Sequence, residues 1–278
     1  MTTLTVGVLA LQGAFYEHIQ LLKKASAAKA QADKTPSAPA AQWEFIEVRT
    51  PQELERCDGL ILPGGESTTI SLVAARSNLL EPLRDFVKLH HKPTWGTCAG
   101  LILLAESANR TKKGGQELIG GLDVRVNRNH FGRQTESFQT LLDLPFLRSD
   151  TAEPAAPFPA VFIRAPVVEK ILATPDDAQS NGDNTVTAPS RQAKDELARE
   201  AMGSRVEVLA TLPGRAAKLA SEGVDIRADK EAGDIIAVRQ GNVFGTSFHP
   251  ELTGDARIHS WWLDQVLEAV GKSRQAEQ

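Results

Sequence analysis

Short apolar runs rich in β-branched residues alternate along this chain with stretches whose apolar residues recur every three or four positions. That alternation constrains the fold more than any other feature. Strands are expected over 4–11, 43–48, 59–62, 94–96, 122–126, 160–163, 206–211, 235–239 and 242–247, and helices over 14–28, 51–56, 68–76, 79–91, 99–109 and 255–270. Strands such as Leu60-Ile61-Leu62 are apolar at every position, as a strand covered on both faces must be. The expected fold class is therefore α/β, a three-layer α/β/α arrangement around a mostly parallel open sheet.

Four stretches break the rhythm, near residues 28–42, 149–159, 175–204 and 214–231, each polar or biased toward Ala and Pro. They are read as surface insertions on one domain rather than as linkers, and no internal repeat is visible across the 278 residues. Lys and Arg number 31 against 35 Asp and Glu, a net charge of −4 that offers no cationic excess to clamp a phosphate backbone. Nucleic acid is not an expected partner. No apolar run approaches the ~20 residues of a membrane-spanning helix, and the first residues carry no basic leader, so a cytoplasmic, membrane-free protein is expected.

Only two cysteines, Cys57 and Cys98, are present, too few for a disulfide framework and without the C-x-x-C spacing of a metal site. Cys57 reads as packing at the start of a strand. Cys98 lies in Gly96-Thr97-Cys98-Ala99-Gly100, between a short strand and the apolar helix that follows. Flanking glycines permit the sharp turn of a nucleophile elbow, and a helix N-terminus favours the thiolate. Taken alone, the same pentapeptide also suits a small core cysteine beside a tight turn.

Downstream, Phe248-His249-Pro250-Glu251 follows a strand. Two residues apart in extended backbone, His249 and Glu251 would project the same way, so the carboxylate could fix one imidazole nitrogen while the other faces a thiol. By itself such a triplet is more often a polar strand exit than a base and its orienter. Coupled with a cysteine elbow in the same α/β chain, it reads as a triad in the order Cys98, His249, Glu251.

The third feature is Pro63-Gly64-Gly65-Glu66-Ser67-Thr68-Thr69 at the end of a buried strand. Backbone N–H groups of Gly64 and Gly65, with that of Ala99 after the cysteine, could form an oxyanion hole. A plain turn with Ser67 as helix N-cap fits the same residues. The loop lacks the lysine of a P-loop.

These pieces, together with Val6 to Ala14, Glu17-His18, Arg128-Asn129, Phe131-Gly132-Arg133-Gln134 and Phe162-Ile163-Arg164-Ala165-Pro166, occur in an order that resembles the class I, triad-type glutamine amidotransferases of flavodoxin-like fold. Within them the chain is most similar to the PdxT family, the glutaminase subunits of pyridoxal 5'-phosphate synthase. The Pro-Gly-Gly-Glu-Ser, Phe-Gly-Arg-Gln and Ile-Arg-Ala-Pro segments carry most of that likeness. The resemblance implies hydrolysis of L-glutamine to glutamate and ammonia by Cys98, His249 and Glu251. It also implies glutamine binding by Gly65, Glu66, Ser67, Arg128, Ile163 and Arg164, and no cofactor or metal. Ammonia would pass through a tunnel to a synthase partner that docks near Gln12 and switches on an otherwise nearly silent glutaminase. The four insertions depart from compact members of the family without interrupting a motif.

Overall fold

The structure, a computed structural model, describes residues 3–32, 41–109, 116–128, 137–148, 156–173, 185–212 and 234–276. In chain order the elements are β1 (Thr3–Leu9), α1 (Phe15–Ala32), β2 (Gln42–Val48), α2 (Pro51–Glu55), β3 (Gly59–Leu62), α3 (Ser67–Arg76), α4 (Leu80–Arg84, continued by a π-helical turn Asp85–Leu89), β4 (Thr94–Thr97) and α5 (Ala99–Leu104). They continue with β5 (Ala105–Asn109), β6 (Leu122–Asn127), β7 (Ser137–Leu142), β8 (Phe158–Ile163), β9 (Val167–Ile171), β10 (Thr185–Thr187), α6 (Glu196–Met202), β11 (Glu207–Leu212), β12 (Asp234–Gln240), β13 (Val243–Thr246) and α7 (Arg257–Ala276).

The main sheet runs β10-β5-β6-β9-β12-β13-β4-β3-β1-β2, with β11 pairing with β12 off this path. From β13 to β2 every pairing is parallel, whereas β12, β9 and β10 join antiparallel. Successive side chains of a strand face opposite sides. Accordingly Leu60 and Leu62 enter a core with residues of α3, α4 and α5. Ile61 enters a second core with α1, α7 and the β7–β8 hairpin. Helices thus cover both faces, and the α/β expectation is met, with the parallel half of the sheet carrying the elbow.

A helix over 99–109 was expected, yet it stops at Leu104, where Ala105 turns extended (φ −68°, ψ 142°). Residues 105–109 form β5, paired with β6 on one side and β10 on the other. The apolar run from Leu101 to Ala105 has no glycine or proline to mark that boundary, and the pairing that settles it comes from distant residues. Strands β7, β9 and β10 and helix α6 were likewise not anticipated. Within the stretch near 175–204, residues 185–204 contain regular structure: β10 extends the sheet, and Asp195 caps α6 by accepting from the Ala198 amide at 2.8 Å. In the stretch near 28–42, α1 runs on to Ala32, and near 149–159, β8 starts at Phe158. The stretch 214–231 and the Phe-Gly-Arg-Gln segment lie outside the described residues.

Candidate active site

Parallel strands end on the same side of a sheet, so the loops after β1, β3, β4 and β13 converge there. β4 lies between β3 and β13. The Cys98 amide donates to the Thr246 carbonyl of β13 at 2.8 Å, which ties the elbow to the strand that leads to His249. Cys98 itself adopts φ 47°, ψ −97°, a conformation that side chains rarely take and that costs on the order of 1–3 kcal/mol. The close approach of β3 and α5 explains the elbow's glycines. A Cβ on Gly100 would lie 2.1 Å from the Leu62 carbonyl oxygen, and one on Gly96 would lie 2.4 Å from the Gly100 carbonyl carbon.

His249 Nδ1 lies 2.7 Å from Glu251 Oε1, both side chains being buried. The two meet through a tight turn rather than through extended backbone: Pro250–Leu252 form a 3₁₀ turn that His249 precedes. The His249 amide is held by the Val161 carbonyl of β8 at 2.8 Å, so the hairpin as well as the sheet fixes this loop. Burial pushes the His249 imidazole toward its neutral form, but hydrogen bonding and charge from Cys98 and Glu251 outweigh it and raise its pKa to about 10. The imidazole beside Cys98 is thus held in its protonated form at neutral pH.

The Gly64-Gly65 loop is clamped from the amino-terminal segment. Its Gly64 carbonyl accepts from the Ala14 amide at 3.1 Å, and Gln12 Oε1 accepts from the Glu66 amide at 2.8 Å. Because the peptide is trans, the Gly65 N–H points away from Ala14. Gly64 packs against the His249 ring, with no room for a Cβ. The helix cap is Glu66 rather than Ser67: its carboxylate accepts from the Thr68 and Thr69 amides at 3.1 and 2.7 Å. Burial opposes that charge, yet the hydrogen bonds from Thr69 and Thr68 win and hold the Glu66 carboxyl below its ordinary pKa.

Gly65, Glu66, Ser67, Cys98, Ala99, Ile102, Arg128, Ile163 and Arg164 together line a cavity of about 120 Å³. All six residues expected to bind substrate thus share one cavity with Cys98 and Ala99, while Gly64, His249 and Glu251 sit behind it. Arg128 donates to Ser67 Oγ at 2.8 Å and to Thr68 Oγ1 at 3.1 Å, with Glu66 Oε1 3.9 Å away. Arg164 adopts a positive φ of 45°, and the preceding Ile163 carbonyl lies 3.9 Å from Cys98 Sγ. A larger groove of about 470 Å³ between α6 and α7 contains no cysteine or histidine. Sequence reading assigned no role to Thr97, His18 and His259, which lie buried behind Glu251. For His18 the only signal was its place in the Glu17-His18 dipeptide.

A thiol at a strand–helix elbow, a histidine paired with a buried carboxylate and a small cavity with both signs of charge thus meet at the ends of the parallel strands of an α/β fold. The chain belongs to the SNO glutamine amidotransferase family, which it matches over residues 8–198 and 208–268. It is 39% identical over 270 residues to a probable pyridoxal 5'-phosphate synthase subunit of Arabidopsis thaliana, covering 95% of this chain and 87% of the other. It is 38% identical over 266 residues to pyridoxal 5'-phosphate synthase subunit PdxT of Streptomyces avermitilis, covering 96% of each. A crystal structure of a glutamine amidotransferase is similar at a TM-score of 0.59 and 33% identity, over 94% of this chain and 98% of that one.

Proposed function

We propose that the protein hydrolyses L-glutamine to L-glutamate and ammonia and delivers the ammonia to a synthase subunit that builds pyridoxal 5'-phosphate. The observation that carries this reading is the cavity that joins Cys98 to Arg128, Arg164 and Glu66. A substrate with an α-carboxylate and an α-ammonium needs both signs of charge, and guanidinium forks suit the carboxylate.

In this reading the Cys98 thiolate attacks the side-chain amide carbon, and the N–H groups of Gly65 and Ala99, with the Gly64 backbone holding the loop, take the developing oxyanion. Protonated His249 gives its proton to the leaving nitrogen, ammonia departs, and a γ-glutamyl thioester remains. His249, now neutral, takes a proton from water as its oxygen attacks the thioester carbonyl, and glutamate is released with the thiol restored. Glu251 fixes the ring through Nδ1 and stabilises the imidazolium.

The synthase would dock on the face that contains Gln12, whose side chain already reaches the Gly65-Glu66 peptide. No helix among the described residues is long and apolar enough to cross a membrane, in keeping with work in the cytoplasm beside that partner. The test is glutamate release from L-glutamine with and without the synthase. Activity that rises saturably with synthase and vanishes in Cys98→Ala supports the reading. Release that persists in a folded Cys98→Ala protein refutes it.

A further inference from the structure

Behind the triad lies a buried chain of polar groups that the proposed chemistry does not use. Glu251 has two carboxylate oxygens, and His249 takes only Oε1. The other, Oε2, is fully buried and makes no hydrogen bond of good geometry. A buried carboxylate oxygen without a donor is costly. The nearest group that can serve is His18 of α1, whose Nε2 lies 3.4 Å from Oε2 and 3.2 Å from Thr97 Oγ1. His18 Nδ1 lies 2.9 Å from Nε2 of His259 on α7. Trp95 packs edge-on against both rings, and neither histidine has any exposed surface.

The tautomers follow from the orphan atoms. His259 Nδ1 has no hydrogen-bond partner. An unmatched acceptor lone pair is tolerated better than an unmatched buried N–H. The His259 proton therefore sits on Nε2 and is donated to His18 Nδ1. That leaves the single proton of a neutral His18 on its Nε2, facing Thr97 and the carboxylate. Burial keeps both rings neutral, at pKa values of about 3, even though Glu251 pulls His18 the other way; His259 and His249 push it further down.

We propose that His18 is a positioning residue of the triad: held as its Nε2–H tautomer by His259, it anchors Oε2 of Glu251 so that Oε1 stays aimed at His249. The inference rests on the glutaminase reading for its kinetic consequence but not for its geometry. At 3.4 Å the contact is long, as catalytic hydrogen bonds often are before substrate binds, and it has room to shorten when His249 carries charge.

Two measurements test the proposal. The first needs no variant. In protein labelled with ¹⁵N-histidine, the imidazole nitrogen shifts should show His18 protonated at Nε2 and bare at Nδ1 across neutral pH; protonation at Nδ1 overturns the proposal. The second compares His18→Gln, whose amide can donate from about the same place, with the apolar His18→Leu, in glutamate release with synthase present. His18→Leu should lose roughly 10- to 100-fold in kcat, the scale of a misaligned catalytic group, with little change in KM, because His18 does not line the cavity. Its pH profile should narrow on the alkaline side, because His249, less firmly held by Glu251, loses its proton at lower pH. His18→Gln should recover part of the rate and width. A folded His18→Leu protein with wild-type kcat and profile, or two variants with equal loss, refutes the role. Wild-type protein that releases no glutamate would sink the glutaminase reading and leave the nitrogen shifts to decide His18.

Discussion

Gly64→Ala isolates the effect of triad geometry from that of triad chemistry, because one methyl group is added and no reacting group is removed. Gly64 has no positive φ, so alanine is compatible with its backbone, but the new Cβ would lie 2.2 Å from His249 Cε1, 2.5 Å from Nδ1 and 3.3 Å from Glu251 Oε1. Carbon atoms in contact settle at about 3.5–4.0 Å, so the ring must retreat by more than about 1 Å. It cannot do so while keeping its 2.7 Å bond to Glu251 and its approach to Cys98. Displacement of about that size costs ~100-fold in rate, and overpacking costs about 1–3 kcal/mol of stability, which leaves the protein folded. Kinetics of glutamate release with saturating synthase, beside a melt, provide the assay. Gly65→Ala perturbs a different part of the loop: its Cβ would meet Gln12 Oε1 at 2.5 Å and Gly13 Cα at 3.1 Å, so it displaces the Gln12 clamp on the Glu66 amide and leaves the His249 ring in place. A folded Gly64→Ala enzyme within about threefold of wild type would refute the argument that this backbone locates His249.

Alkylation and acid titration supply two further tests. Burial raises the Cys57 thiol to about 12, even with Lys92 pulling the other way. One equivalent of iodoacetamide should therefore label native wild-type protein at pH 8, and a native Cys98→Ala protein should take up none; mass spectrometry that finds Cys57 modified would refute this. Burial holds His18 and His259 at about 3 and His91 at about 4, against 6.5 when unfolded. Their folded values are depressed, so the stability they allow is intact above pH 6.5 and falls as pH drops toward 3–4, where the unfolded chain binds protons the native state refuses. At about 1.4 kcal/mol per unit for each group, the two fully buried rings together cost roughly 4 kcal/mol at pH 5 and His91 about 2 more, while His249, raised to about 10 and already protonated when native, returns about 1.4 between pH 7.5 and 5. Urea unfolding followed by tryptophan fluorescence should show a loss of that order between pH 7.5 and 5, and equal stabilities would contradict neutral buried imidazoles.

The features visible in the sequence were those whose cause is local. Gly96 and Gly100 around Cys98, the glycine pair after β3 and the His-Pro-Glu triplet each encode a turn within a few residues, and each turn is present. The apolar runs marked the strands of the parallel half because burial on both faces leaves little choice of residue. β5 and β10 were different: Ala105-Glu106-Ser107-Ala108-Asn109 becomes a strand only because β6 offers its edge, and Thr185-Val186-Thr187 only because β5 then offers its own. Even where the pairing of His249 with Glu251 was foreseen, the route was not. Pro250 starts a 3₁₀ turn, and that turn brings the carboxylate back to Nδ1 of the ring.

From its sequence alone, then, the chain determined its α/β class, the place and order of the elbow cysteine, the histidine and the carboxylate, and its likeness to the glutaminases of pyridoxal 5'-phosphate synthesis. Only the tertiary structure decided that Glu66 caps α3, that Gly64 packs against His249, and that His18 and His259, 241 residues apart, share a hydrogen bond behind Glu251. The reason is physical. A turn is paid for by the conformations of its own few residues, whereas the protonation and partner of a buried polar group are set by which distant atoms the closing core brings against it.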